Sequence, residues 1–103
     1  MNARIALDQN KIAEFCQRWK ITEFALFGSV LREDFRPDSD VDVLVTFASD
    51  SHWTLFDMVH MQNELQEIVG RKVDLVSRRG IEASRNYLRR KAILSSAEVV
   101  HVA

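Results

Sequence analysis

The stretch GSVLREDFRPDSDVD, residues 28–42, lies between two apolar runs, Phe24-Ala25-Leu26-Phe27 and Val43-Leu44-Val45. Gly28-Ser29 closes the first run with small residues, and Asp40 and Asp42 open the second. In an extended strand, side chains at i and i+2 share a face. Asp40 and Asp42 therefore project together, and two hard oxygen donors suit Mg²⁺. Gly28 has no Cβ and lets backbone come close to a ligand. Ser29 offers a hydroxyl and an N–H to a phosphate at the start of a helix. Together these residues suit a metal-bound triphosphate.

Working outward, Asp8 or Asn10 can cap a first helix to about Trp19, with Ile12, Phe15, Cys16 and Trp19 on one face. Phe24–Phe27 reads as a buried strand and residues 29–35 as a short helix stopped by Pro37. Asp38-Ser39 reads as a turn, and Val41 to Phe47 as a second strand. Thr54 can cap a long helix ended by Gly70, with Leu55, Met58, Val59, Leu65, Ile68 and Val69 facing inward. Lys72–Ser77 predicts a third strand, Ile81 to about Ile93 a third main helix, and Glu98–Val102 a last short strand. This is an α/β (α+β) pattern: a small mixed sheet with helices packed mainly on one side. Residues 1–103 are expected to form a single domain.

With 47% apolar and 28% charged residues, the composition is that of an ordinary globular protein. No apolar run approaches the roughly 20 residues that span a bilayer, and the N-terminus lacks a signal-peptide pattern. Cys16 is the only cysteine, which excludes an internal disulfide and suits a reducing cytoplasm. The net charge of −1 hides an asymmetry: residues 1–70 carry a net −6, residues 71–91 a net +6. The basic segment suits a triphosphate, an RNA or an acidic partner, or is a solvated helix face.

Asp74 interrupts the apolar run Val73-Leu75-Val76, where a charge is costly to bury without a partner or metal. If its strand pairs beside the Asp40/Asp42 strand, three carboxylates converge; otherwise Asp74 sits at an exposed edge or pairs with Arg71 or Arg78. Arg32, four residues after Gly28, can reach a phosphate or stand on the surface. An EF-hand is excluded, because Val43 replaces the required Gly and Ser49 the final Glu. No P-loop pattern exists, and His52, His60 and His101 show no metal-ligand spacing.

Gly28-Ser29, ten residues, then Asp40-Val41-Asp42 resembles the signature of the nucleotidyltransferase superfamily related to DNA polymerase beta. The fuller strings Gly28-Ser29-Val30-Leu31-Arg32 and Arg36-Pro37-Asp38-Ser39-Asp40-Val41-Asp42-Val43-Leu44-Val45 resemble its smallest branch. Those are the minimal nucleotidyltransferases, the MNT antitoxins that pair with HEPN-domain toxins. The resemblance covers nearly the whole chain and is strongest over residues 24–47. Leu31 and Glu33 depart from the small residues usual there.

The resemblance implies a palm-like fold, with Asp40, Asp42 and Asp74 as catalytic, metal-binding carboxylates and Gly28, Ser29 and Arg32 at the nucleotide. It implies Mg²⁺, two ions, and ATP as substrate. It also implies a HEPN-domain ribonuclease toxin as partner, neutralised by transfer of AMP to a tyrosine. Two other functions stay open from the residues: a non-catalytic antitoxin or binding module acting by occlusion, and transfer to a small molecule.

Overall fold

Strand β2 (Val41–Phe47) buries residues on both faces because it lies inside a sheet: Val41, Val43, Leu44 and Val45 are each at most 1% exposed. The structure is a computed structural model that describes residues 7–31, 36 and 39–102. Beside β2 runs β1 (Ile21–Phe27), antiparallel, and on its other side β3 (Val73–Ser77), parallel. Strand β4 (Glu98–Val102) pairs antiparallel with β1, giving the order β3-β2-β1-β4. A parallel pair needs a crossover, which helix α2 (Leu55–Val69) supplies between β2 and β3.

The pleat sorts the strands onto two faces. Phe24, Leu26, Val41, Val43, Val45, Val73 and Leu75 join Ile12, Phe15 and Cys16 of α1 (Gln9–Arg18) and Met61 and Leu65 of α2 in the larger core. Ala25, Phe27 and Leu44 meet Ile81 of α3 (Arg78–Glu82) and Ile93 of α4 (Tyr87–Ser96) in a smaller one. The mixed sheet and its helices agree with the fold class expected from sequence.

Local chemistry sets the ends. The Asp8 carboxylate accepts from the Asn10 and Lys11 N–H groups at 3.1 and 3.2 Å and starts α1. Thr54 and Asp57 form a capping box at α2, and Gly70 ends it at φ 76°. Trp19 and Trp53 meet edge to face at 5.1 Å, and the Trp53 indole donates to the Trp19 carbonyl at 2.9 Å. Glu64 accepts from the Trp19 indole at 2.6 Å and also pairs with Arg18.

Three expectations change. Strand β1 begins at Ile21 rather than Phe24, directly after Lys20 at φ 55°. On α2, Leu55 (85% exposed) and Val59 (56%) point to solvent, while Met61 is buried. The inward stripe runs through Met58, Met61, Leu65 and Ile68, and Val59 lies about 100° away from Met58 on the helix. Leu55 is in the first turn, left uncovered among the described residues. The expected helix 81–93 is two helices. The Ser84 hydroxyl accepts from the Asn86 N–H at 3.2 Å, and Asn86 Oδ1 accepts from the Arg89 N–H at 3.1 Å. Both side chains compete with helical backbone bonding and restart the helix at Tyr87.

Among the described residues no helix is long and apolar enough to cross a membrane.

Candidate functional site

The parallel register of β2 and β3 sets Asp42 opposite Asp74. Both alternate with residues of the larger core, Val41 and Val43 on one strand and Val73 and Leu75 on the other. Both carboxylates therefore fall on the α4 side of the sheet. There they line a cleft of about 370 Å³ with Phe27, Gly28 and one face of α4. That volume is within the usual range for small-molecule sites. Asp42 is half-buried; Asp74, on the edge strand, is exposed. Exposure at an edge spares Asp74 the cost of burying a charge, and the Arg78 guanidinium pairs with Glu23 at 3.4 Å.

Gly28 follows β1 in a short 3₁₀ turn, Gly28–Leu31, at φ 76°. A Cβ at this position would stand 2.3 Å from Oδ2 of Asp42. The glycine is thus demanded twice, by its backbone angle and by the carboxylate lying against it. The turn and the acidic strand, distant by fourteen positions in sequence, meet in this contact.

The edge of β3 is held from α2. Gln66 Oε1 accepts from the Val73 N–H at 3.1 Å, and Gln62 Oε1 from the Leu75 N–H at 3.2 Å. These bonds satisfy edge donors that would otherwise be open, and they bracket Asp74. The i, i+4 spacing of the two glutamines puts them on one helix face, a signal the sequence carries but that has no meaning until β3 is placed beside α2.

The wall opposite the carboxylates is built by Arg89, Ala92, Ile93 and Ser96. Their spacing, i, i+3, i+4 and i+7, is one helical stripe. Ala92 and Ser96 are small, which leaves room in front of the sheet.

Of the six residues singled out from sequence, Gly28, Asp42 and Asp74 line this one cleft. Asp40 immediately precedes β2 and is exposed, outside the cleft lining. Ser29 has its backbone in the 3₁₀ turn. The Ser29 side chain and all of Arg32 lie outside the described residues, as do Glu33, Asp34, Pro37 and Asp38. Among the described residues no three His, Cys, Asp or Glu side chains form a ready metal cluster. The donor set nonetheless fits a hard divalent cation, since Asp42 and Asp74 offer two carboxylates across one open cleft, with Asp40 two residues from Asp42.

Comparison with known proteins places the chain. The profile of the nucleotidyltransferase domain family matches residues 9–100. The protein adenylyltransferase MntA of Thermococcus cleftensis is 31% identical over 70 residues, 68% of this chain and 69% of that protein. A Methanocaldococcus jannaschii protein provisionally named a protein adenylyltransferase is 31% identical over 65 residues, 63% of this chain. The match spans 64% of that relative's length. A solved structure provisionally described as a minimal nucleotidyltransferase superposes with TM-score 0.68 at 32% identity, over 89% of this chain and 88% of its own. A chain from the complex of a tri-AMPylated Shewanella oneidensis HEPN toxin with an MNT antitoxin has TM-score 0.62 at 18% identity, over 92% of this chain and 70% of its own. This last likeness is one of fold.

Proposed function

The chain belongs to the nucleotidyltransferase domain family, in its minimal branch, and we propose that it transfers AMP from ATP to a tyrosine hydroxyl of a HEPN-domain ribonuclease, neutralising that toxin. The observation that carries the reading is the cleft in which Gly28, Asp42 and Asp74 converge. It is supported by the name of the Thermococcus relative, a protein adenylyltransferase, and by the fold shared with a complex containing an AMPylated HEPN toxin. The whole of residues 1–103 is taken as one such domain, acting in the cytoplasm.

In this reading Asp42 and Asp74, with Asp40, would hold Mg²⁺, which when bound would supply positive charge to offset that on the attacking and leaving oxygens. Gly28 gives the phosphates close access to backbone, and the 3₁₀ turn with Ser29 borders them. Asp74 faces the acceptor and takes its proton at a carboxylate oxygen. The acceptor oxygen forms a bond to the α-phosphorus. The bond from that phosphorus to the bridging oxygen breaks, and its electron pair leaves with pyrophosphate. No covalent enzyme intermediate is needed.

The test is intact-mass measurement of a HEPN partner after incubation with this protein, ATP and Mg²⁺, beside the Asp40→Ala/Asp42→Ala double variant. Additions of about 329 Da per AMP, the mass that α-phosphoryl transfer adds, are expected only with the unaltered protein. An unmodified partner that is nevertheless bound and inhibited would replace transfer with occlusion.

A further inference from the structure

The basic segment 71–91 carries eight cationic side chains, and the structure gives several of them distinct tasks. Arg71 Nη2 donates to the Arg36 carbonyl at 3.0 Å. Arg78 pairs with Glu23 and donates to the Thr46 hydroxyl at 3.3 Å. Arg90 donates to the Glu82 and Ser84 carbonyls, each at 3.3 Å, and lies over the Tyr87 ring at 5.5 Å. Arg71 thus ties the start of β3 to the segment before β2, Arg78 ties α3 to β1 and β2, and Arg90 braces the break between α3 and α4. Arg79 borders a separate, larger cleft beside α2. Lys72, Arg85 and Lys91 are exposed and outside the carboxylate cleft.

Arg89 differs from all of them. It is the one cationic residue lining the cleft of Gly28, Asp42 and Asp74 among the described residues. Its place is fixed by the Asn86 cap, which bonds the Arg89 N–H and starts α4 one turn before the cleft. The helix then carries Arg89 on the same stripe as Ala92, Ile93 and Ser96. A site that binds only a metal would gain nothing from a second cation in its wall, since the metal and the guanidinium repel each other. A site that binds a polyanion between carboxylate-held cations and an opposing wall is completed by one.

We infer that Arg89 is the phosphate-binding arginine of this site, engaging the β- and γ-phosphates of the nucleoside triphosphate from the α4 wall. The inference rests on the nucleotidyltransferase reading and adds a residue to it. The planar guanidinium can donate two parallel bonds to phosphate oxygens, which a lysine cannot. When the bond from the α-phosphorus to the bridging oxygen breaks, negative charge grows on the departing pyrophosphate, and a fixed cation beside it stabilises that charge. Arg89 thereby distinguishes a triphosphate from a monophosphate.

The experiment is equilibrium binding of a non-hydrolysable ATP analogue and of AMP, each with Mg²⁺, to the full chain and to Arg89→Gln, Arg89→Lys and Lys91→Gln. Circular dichroism and melting temperature establish that each variant is folded. Arg89→Gln is expected to weaken the triphosphate analogue by about 10- to 100-fold, as loss of charge-assisted bonds does, with AMP affinity little changed. Arg89→Lys recovers part of the loss, and Lys91→Gln, which removes an equal charge from the same helix, shows none. An unchanged triphosphate affinity in folded Arg89→Gln, or an equal loss for AMP, overturns the assignment while leaving the function standing. Absence of analogue binding to the unaltered chain overturns both.

Discussion

The two faces of the sheet are built on different terms. Among the described residues, fourteen buried ones form one continuous apolar core against α1 and α2. Against α3 and α4 there are five, and the cleft of Gly28, Asp42 and Asp74 lies on that face. Strand β2 contributes to both: Val41, Val43 and Val45 look one way, Asp42 and Leu44 the other. The carboxylates therefore stay near water, which avoids the cost of burying a charge, while the opposite side of the same strand supplies burial. The lesson is a division of labour across one layer of backbone. Stability is concentrated on the α1/α2 face, and the proposed chemistry occupies the thinner one.

The strongest way to break this comparison is to damage the large core and look for an effect on transfer. Leu65→Ala removes a fully buried side chain and is expected to cost about 2–5 kcal/mol of stability by chemical denaturation. Transfer per folded molecule should stay near that of the unaltered protein. A specific loss of transfer at temperatures where the variant is folded would mean that the faces are not separable.

Gly28→Ala is the reciprocal test. The added methyl would meet the Asp42 carboxylate and would sit at φ 76°. The backbone strain is expected to cost about 1–2 kcal/mol. Displacement of Asp42 by even about 1 Å should lower transfer by roughly 100-fold. A larger deficit in transfer than in stability, compared with Leu65→Ala, places function on the thin face. Equal deficits would make Gly28 a structural residue only.

Much of this division is legible in the amino-acid sequence. Alternation in Val41–Phe47 marks one apolar and one mixed face, and the strand has the expected bounds. The Thr54 and Gly70 signals bound α2 at both ends, because caps and left-handed stops are local chemistry. Leu55 and Val59 face outward against expectation, because hydrophobicity alone does not say how far the sheet extends beneath a helix. The split of the last helical stretch escapes a reading by periodicity, because the Ser84 and Asn86 side chains take backbone N–H groups out of an otherwise helical pattern. The pairing of Asp42 with Asp74 depends on the parallel register of β2 and β3. The closeness of Gly28 to Asp42 depends on how β1 turns at its end. Neither is encoded in spacing. In sequence Arg89 is one of eight similar cations, and only the start of α4 gives it a direction.

The buried thiol of Cys16 offers a smaller and wholly local probe of the large core. Burial pushes its pKa up from the ordinary 9.0 to about 11. Below about pH 9 the thiol is neutral in folded and unfolded chains, and its contribution to stability is fully present. Between 9.0 and about 11 only the unfolded chain ionises it, so stability falls as pH rises, by up to about 1.4 kcal/mol per pH unit from this group. Denaturation across that window should give a steeper decline for the unaltered protein than for Cys16→Ala, which has no thiol to ionise. Parallel slopes would mean that water reaches this part of the core.

The mildest test concerns the edge of the large-core face, where α2 begins. The Thr54 hydroxyl accepts from the Asp57 N–H at 3.2 Å, and Asp57 returns a bond by accepting from the Thr54 N–H at 2.8 Å. Thr54→Ala removes the first of these and leaves the second. The expected cost is about 1 kcal/mol, which in a chain of this size lowers the melting temperature by roughly 4–8 °C. Trp53, adjacent in sequence and edge to face with Trp19, reports the change by fluorescence. Helix α2 also carries Gln62 and Gln66, whose side chains hold β3 on either side of Asp74. Fraying confined to the first turn should not reach them, and transfer should be unchanged. If transfer falls together with the melting temperature, α2 couples the two faces through those glutamines, and the separation holds for strand β2 but not for the helix that crosses from it to β3.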